Sequence, residues 1–284
     1  MDIFLNIGKP IQKSVNNSID YLVVNYGDQF ETFSNSILTL VVYLEKGLKA
    51  VPAPLFIVAV MLIAYAIGRK WALTIGVGIG LYILGGLGLW EKSMQTIAIM
   101  LVAVLISLAI GLPLGVLSSR SSRFRAILSP VLDLMQTIPS FVYLIPAAML
   151  FGLGKVPAIL ATVIYATPPL IRLVDLGIRE VDKEVVEACQ AFGGTRLQTL
   201  TGVQIPLALP SIMQGINQTM MMSLAMVVVA SMIGARGVGE TVLIGLQRND
   251  AGMGFIGGIA IVILAIVFDR ITQAAGMRLQ AHRN

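Results

Sequence analysis

Between Val51 and Phe268 the chain carries seven apolar stretches of roughly the length that crosses a bilayer, and none of them holds an Asp, Glu, Lys, Arg or His. The stretches run Val51 to Ile67, Trp71 to Leu89, Met94 to Leu117, Leu134 to Phe151, Val156 to Ile171, Ile212 to Ile233 and Gly254 to Phe268. About 20 residues at 1.5 Å rise cover the hydrocarbon core, and in lipid every backbone N–H and C=O must be satisfied internally, so such segments are helices. Only 12% of the chain is charged, against about 25% in soluble domains, which is too little to coat a water-soluble surface. The expected fold is all-α: a polytopic bundle of about seven spans over residues 51–275, preceded by a tail of residues 1–50 and followed by a short tail of residues 276–284. Pro139, Pro146, Pro168 and Pro169 are expected to bend or break their helices.

Net charge is +5, but the basic residues are thinly spread between apolar runs and form no Lys/Arg stripe, which excludes a nucleic-acid partner. They report on topology instead, because Lys and Arg near span ends gather on the cytoplasmic side. With the N-terminus outside, the inner side collects Arg69 and Lys70, Arg120, Arg123 and Arg125, Arg172, Arg179, Lys183 and Arg196, and finally Arg270, Arg278 and Arg283. The outer side after the first span holds only Lys92, Lys155, Arg236 and Arg248, so the expectation is N-out, C-in in a bacterial cytoplasmic membrane. The start, MDIFLNIGKP, lacks a basic region followed by an apolar core, and no cleaved signal peptide is expected.

Several function classes fall away. Cys189 is the single cysteine and His282 the single histidine, which leaves nothing for a disulfide, a Cys/His metal site or histidine catalysis. A membrane-embedded enzyme would need convergent carboxylates or a nucleophile pair, and a proton-coupled carrier would place an acid mid-membrane; a secondary carrier would also show buried ion ligands or an inverted repeat. None of these is found. Glycine spacings such as Gly76/Gly80, Gly111/Gly115 and Gly254/Gly258 let helix backbones approach closely and are read as packing.

In the N-terminal tail, Phe30, Phe33, Ile37, Leu40, Val41, Leu44 and Leu48 recur at helical spacing while Glu31, Ser34, Asn35, Glu45, Lys46 and Lys49 occupy the other side. The pattern predicts an amphipathic helix, either lying in the membrane interface or packed on the bundle.

The one long polar segment on the inner side runs from Arg172 to Gln204. Val181 to Phe192 reads as a short helix with Val181, Val185, Ala188 and Phe192 on one face; Gly193-Gly194 permits a sharp reversal, and a second piece from Thr195 to Val203 leads to Pro206. Glu187-Ala188-Cys189, three residues, Gly193, nine residues, then Val203-Gln204-Ile205-Pro206 resembles the EAA loop of binding-protein-dependent ABC importer permeases, E-A-A-x3-G-x9-I-x-L-P. Cys189 stands for the second alanine, and Val203 and Ile205 are conservative replacements.

The resemblance extends over about Phe56 to Gln273. Leu132 to Tyr143, Asn217-Gln218-Thr219 and Gly234-Ala235-Arg236-Gly237-Val238-Gly239 are similar to the glycine betaine/L-proline branch, which includes choline and related betaine systems. It implies the type I importer permease fold, with residues 180–206 as the coupling loop. Glu187, Ala188, Cys189, Gly193, Gly194, Val203, Ile205 and Pro206 would then engage a cytoplasmic ATPase. The implied assembly has two ATPase copies, a second copy of this chain and an extracytoplasmic substrate-binding protein that delivers cargo near Gly234 to Gly254. ATP and Mg would bind the ATPase and no cofactor would bind this chain; Gly152-Leu153-Gly154-Lys155-Val156 lacks both the first glycine and the hydroxyl of a phosphate-binding loop. A quaternary amine donates no N–H and is held by aromatic faces and dipoles. Met135, Pro139, Phe141, Tyr143, Tyr165 and Asn217 are the candidates to line its path.

Overall fold

The computed structural model describes residues 7–281, with side chains through Leu279; His282 and Arg283 lie outside the described residues. Every regular element among them is helical. The order is α1 (Gly8–Ala50), α2 (Ala53–Gly68), α3 (Trp71–Gly86), α4 (Trp90–Arg120), α5 (Ser122–Thr137), α6 (Ser140–Phe151), α7 (Lys155–Arg179), α8 (Lys183–Ala191), α9 (Arg196–Thr199), a π-helical turn (Leu200–Gln204), α10 (Ile205–Ser231), α11 (Val238–Gln247) and α12 (Ala251–Ala281).

Four helical segments are long and apolar enough to cross a membrane: α4, α7, the continuous Arg196–Ser231 helix and α12. Two further candidates are bent pairs, α1 with α2 at 103° and α5 with α6 at 95°. The second bend corrects the expected fourth span. Leu134 to Phe151 is not one helix: its first residues are the last turn of the amphipathic α5, and α6 has only 12 residues. Pro139 is the cause, since its ring drives Ile138 out of the helical region to ψ 129. Pro168 and Pro169 behave differently. They sit inside an unbroken α7, which is held on both sides by α4 and α10.

These three helices form the centre. Gly111 and Gly115 on α4 admit Leu170 and Val174 of α7 so closely that a Cβ would come within 2.6 Å of each. On the opposite side of α7, Gly177 receives Ser211 of α10, where an added Cβ would be 2.5 Å away. The layers around them are apolar. Leu170, Val174 and Ile178 pack with Leu200, Ala208 and Ile212 at one end. Nearer the other end, Ala98, Val102, Val156 and Ile159 pack with Ile37 and Val41.

Those last two residues place α1. It is far longer than the predicted amphipathic segment, but only its second half meets the bundle, where Phe30 and Phe33 lie on Phe151 with ring centroids 5.3 and 5.9 Å apart. The predicted faces need one correction. Leu40 is exposed, whereas Glu45, assigned to the polar side, lies one helical turn beyond Val41 and faces inward. Lys155 at the start of α7 meets it there in an ion pair, Lys49 adds a second at 2.9 Å, and Gln95 donates a hydrogen bond at 3.2 Å. Burial alone would raise the Glu45 pKa; the Lys155, Lys49 and Gln95 contacts outweigh it and hold the carboxyl at about 2.

Charged side chains are tied down at both ends of the bundle. At one end Arg120 donates to the Arg196 carbonyl at 2.8 Å, and Arg278 donates to the carbonyl of Ala66. At the other, Lys155 meets Glu45, and Lys92 meets Glu240 at 3.2 Å and Thr241 at 3.1 Å.

Candidate functional site

The loop between α7 and α10 is fixed by local chemistry. Asp182 caps α8, its carboxylate accepting from the Glu184 N–H at 2.9 Å. At the far end of α8 the Gly193 N–H bonds to the Gln190 carbonyl at 2.9 Å and the Gly194 N–H to the Cys189 carbonyl at 3.0 Å, the paired bonds of a Schellman turn. The two glycines are required for different reasons. Gly193 takes φ 82, a left-handed conformation, while Gly194 has an ordinary φ but would place a Cβ 2.7 Å from the Cys189 carbonyl oxygen and 2.8 Å from its sulfur. Thr195 then starts α9 with a reciprocal capping box, its hydroxyl accepting from the Gln198 N–H and the Gln198 side chain accepting from the Thr195 N–H.

Beyond this point the structure departs from the expected second piece. α9, the π turn and α10 are one helix from Arg196 to Ser231. Pro206 removes an N–H and crowds the carbonyl one turn back; the wider π turn immediately before it relieves that clash without ending the helix. The loop is therefore continuous with a membrane-length helix.

Of the eight predicted loop residues, those other than Gly193, Gly194 and Pro206 divide into two sets. Val203 and Ile205 pack against the Leu170, Val174 and Ile178 cluster and fasten the loop to its own bundle, while Cys189, 3.6 Å from the Thr199 hydroxyl, faces inward between α8 and α9. Val181, read from the sequence as sharing one face with Val185, Ala188 and Phe192, belongs to this set because it is buried in the same cluster. The remaining face of α8 is uncovered: Val185, Ala188 and Phe192 are all exposed, Phe192 to 94%, and Leu197 across the turn to 68%. Glu187 is also exposed and borders a cleft of about 370 Å³ with Arg120, Arg179 and Lys183, yet no ion pair holds it among the described residues. The result is an apolar knob flanked by a free carboxylate.

The proposed path residues are only partly gathered. Tyr143 and Tyr165 both pack on the Leu144, Ala161 and Met226 cluster, and the Tyr143 hydroxyl donates to the carbonyls of Leu134 at 3.1 Å and Met135 at 3.0 Å. Tyr143 thus braces the Pro139 elbow by tying α6 back to α5. Phe141 projects from the exposed side of α6. Asn217 does not join them: it donates to Asp269 of α12 at 2.8 Å, in a network with Gln273. Asp269 went unnoticed in the sequence because it lies one position past the last apolar stretch; its Asp/Gln spacing of four along α12 was the available signal. The Gly234 to Gly254 segment forms α11, whose first N–H, on Val238, is accepted by the Thr96 hydroxyl of α4 at 2.9 Å.

An all-helical membrane bundle with a glycine-turned helical loop between two of its central helices is the architecture of an importer permease. Residues 107–280 match the family described as binding-protein-dependent transport system inner membrane component, and the chain belongs to that family. It is 43% identical, over 97% of its length and 77% of the relative, to the glycine betaine/proline betaine transport system permease protein ProW of Escherichia coli. It is 46% identical, over 87% of its length and 90% of the relative, to the glycine betaine/carnitine transport permease protein GbuB of Listeria monocytogenes. Identity to the glycine betaine transport system permease protein OpuAB of Bacillus subtilis is 39%, over 97% of both chains. Among solved structures, a chain of the inward-facing MetNI methionine ABC transporter superimposes with a TM-score of 0.59 at 24% identity, covering 67% of this chain and 94% of that one. That likeness concerns the fold.

Proposed function

We propose that this chain is the membrane-spanning permease subunit of an ATP-driven importer for quaternary-ammonium osmolytes of the glycine betaine class, residing in the bacterial cytoplasmic membrane with the α8–α9 loop on the cytoplasmic side. The observation that carries the coupling role is the uncovered face of Val185, Ala188, Phe192 and Leu197, held rigidly by a capped helix and a two-glycine turn. Apolar side chains so exposed on an otherwise anchored loop are an interaction surface. The occupant is a cleft on a cytoplasmic ATPase, present in two copies, with Glu187 free to meet a basic group at its rim. ATP and Mg belong to that partner, and this chain performs no covalent chemistry.

The cargo class follows from the relatives, which are named for glycine betaine, proline betaine and carnitine. A permeation path must release what it admits, so weak aromatic contacts suffice. Tyr143 and Tyr165, packed on one cluster beside the Pro139 elbow, are the pair best placed to supply them. Two copies of the chain would enclose the path, supplied by a binding protein at the α11 end.

The test is ATP-dependent uptake of radiolabelled glycine betaine into vesicles holding this chain with its ATPase and binding protein, compared with Glu187→Lys and Gly193→Pro. Uptake that requires ATP and collapses in both variants, with membrane insertion normal, is expected. ATP-dependent uptake of another solute alone would overturn the cargo, and uptake indifferent to ATP and to both substitutions would overturn the coupling role.

A further inference from the structure

On the flank of the bundle the seam between α3 and α12 is closed at Gly80, where an added Cβ would lie 3.1 Å from Ile263, and open from Val77 towards the loop end. At its loop end lies a cavity of about 470 Å³ bordered by Arg69, Lys70, Arg270 and Arg278, and no acidic side chain lines it. Its floor is apolar, formed by Ile67, Leu73 and Met277. Leu73 and Arg270 also line a second cavity of about 370 Å³ that continues up the seam between Gly76 and Val77 of α3 and Ile266 and Val267 of α12. Together they make one groove with a basic mouth and an apolar length.

Two details set the level of the mouth. Tyr65 and Trp71 pair beside it with ring centroids 4.8 Å apart, and both are exposed, the arrangement of an aromatic belt at a membrane–water boundary. Arg69 closes α2 in a left-handed conformation, φ 47, where glycine would be unstrained. Among the described residues, Arg69, Lys70 and Arg278 have no carboxylate partner, and Arg270 has only Asp269 at 4.0 Å.

We propose that this groove binds an anionic phospholipid, its phosphate among the four cations and one acyl chain along the α3–α12 seam. Charge complementarity selects the headgroup, because basic pockets between membrane helices favour anionic lipids. The apolar continuation selects a lipid over a soluble anion. Gly76 gives the acyl chain its room: a Cβ built there meets nothing within 4 Å, so the space is unfilled by protein.

The full chain, reconstituted in liposomes of equal phosphatidylglycerol and phosphatidylcholine, is extracted in mild detergent and its retained lipid quantified by mass spectrometry. Several-fold enrichment of phosphatidylglycerol is expected, falling towards the bulk ratio in Lys70→Gln/Arg270→Gln. Both cations are exposed, so folding is preserved and is checked by gel filtration. Gly76→Leu, which fills the groove without touching the mouth, is expected to lower the amount of retained lipid. Equal retention of both lipids by the wild type, or enrichment unchanged in both variants, would overturn the site; displacement of the lipid by excess inorganic phosphate alone would assign the mouth to a soluble anion instead.

Discussion

The two glycine seams of this molecule look alike in sequence and are opposite in structure. Gly111 and Gly115 on α4 are occupied by Leu170 and Val174 of α7, leaving no room for even a methyl group. Gly76 on α3 belongs to a similar small-residue spacing and touches nothing, although at Gly80 one turn on an added Cβ would lie 3.1 Å from Ile263 of α12; Gly254 and Gly258 on α12 are open on their own Cβ side. Small residues at helical spacing therefore permit close approach but do not compel it. What decides is whether a branched side chain from a neighbour arrives to fill the notch, and that depends on helix order around the bundle.

The sharpest way to break the comparison is Gly115→Leu. It would drive a side chain into Val174 and the Ile171 carbonyl, 3.1 Å from the new Cβ, at a central seam. Overpacking of this kind costs about 1–3 kcal/mol or more. Loss of monodisperse protein after detergent extraction is the expected outcome.

Next comes a junction fastened by charge instead of shape. Lys155→Met leaves the inward-facing Glu45 carboxylate with only Lys49 as an ionic partner, so α1 should loosen from α4 and α7 and the thermal unfolding midpoint should fall. The same junction predicts a pH dependence. Because folding holds the Glu45 pKa at about 2, below its ordinary 4.5, its contribution is present above about pH 4.5 and is lost as pH falls towards 2. Spin-label distances between α1 and α7 should broaden across that window in the wild type, and Glu45→Gln should remove the pH response.

In the loop, Gly193→Ala confronts φ 82 without any clash and should cost about 1 kcal/mol, whereas Gly194→Ala meets the Cys189 carbonyl and should cost more. Proteolytic sensitivity of the loop in the two variants gives the ranking. The smallest effect is at Gly76→Ala, which removes backbone freedom from α3 at no steric cost and should stabilise by about 0.5–1 kcal/mol. A destabilised Gly76→Ala would mean that the open seam is closed by something this chain meets in the membrane.

Much of this was legible in the residues. Apolar runs gave α4, α7, α10 and α12, since hydropathy reports directly on burial in lipid, and the spacing around Glu187 and Gly193 located the loop. The elbow at Pro139 was only half legible. A proline announces a break, but its 95° angle depends on Tyr143 reaching back to the carbonyls of Leu134 and Met135. Pro168 and Pro169 carried the same announcement and broke nothing, because α4 and α10 hold α7 from both sides. The inward turn of Glu45 was hidden for a related reason: a charged residue on an amphipathic helix reads as solvated until its partner, far away in sequence at Lys155, is brought alongside. Asn217 paired with Asp269 for the same kind of reason, drawn across by the packing of α10 on α12.

The π turn before Pro206 has a mechanical consequence. Because the helix passes through it unbroken, the 36 residues from Arg196 to Ser231 form one helix roughly 54 Å long, with its first turns in the loop. Geometry then sets the gain: tilting such a rod by about 5° around its loop end carries the far end by about 5 Å, most of the width of one helix backbone cylinder. A small rotation imposed by a partner where α9 begins would be delivered, magnified, at the far end of the helix.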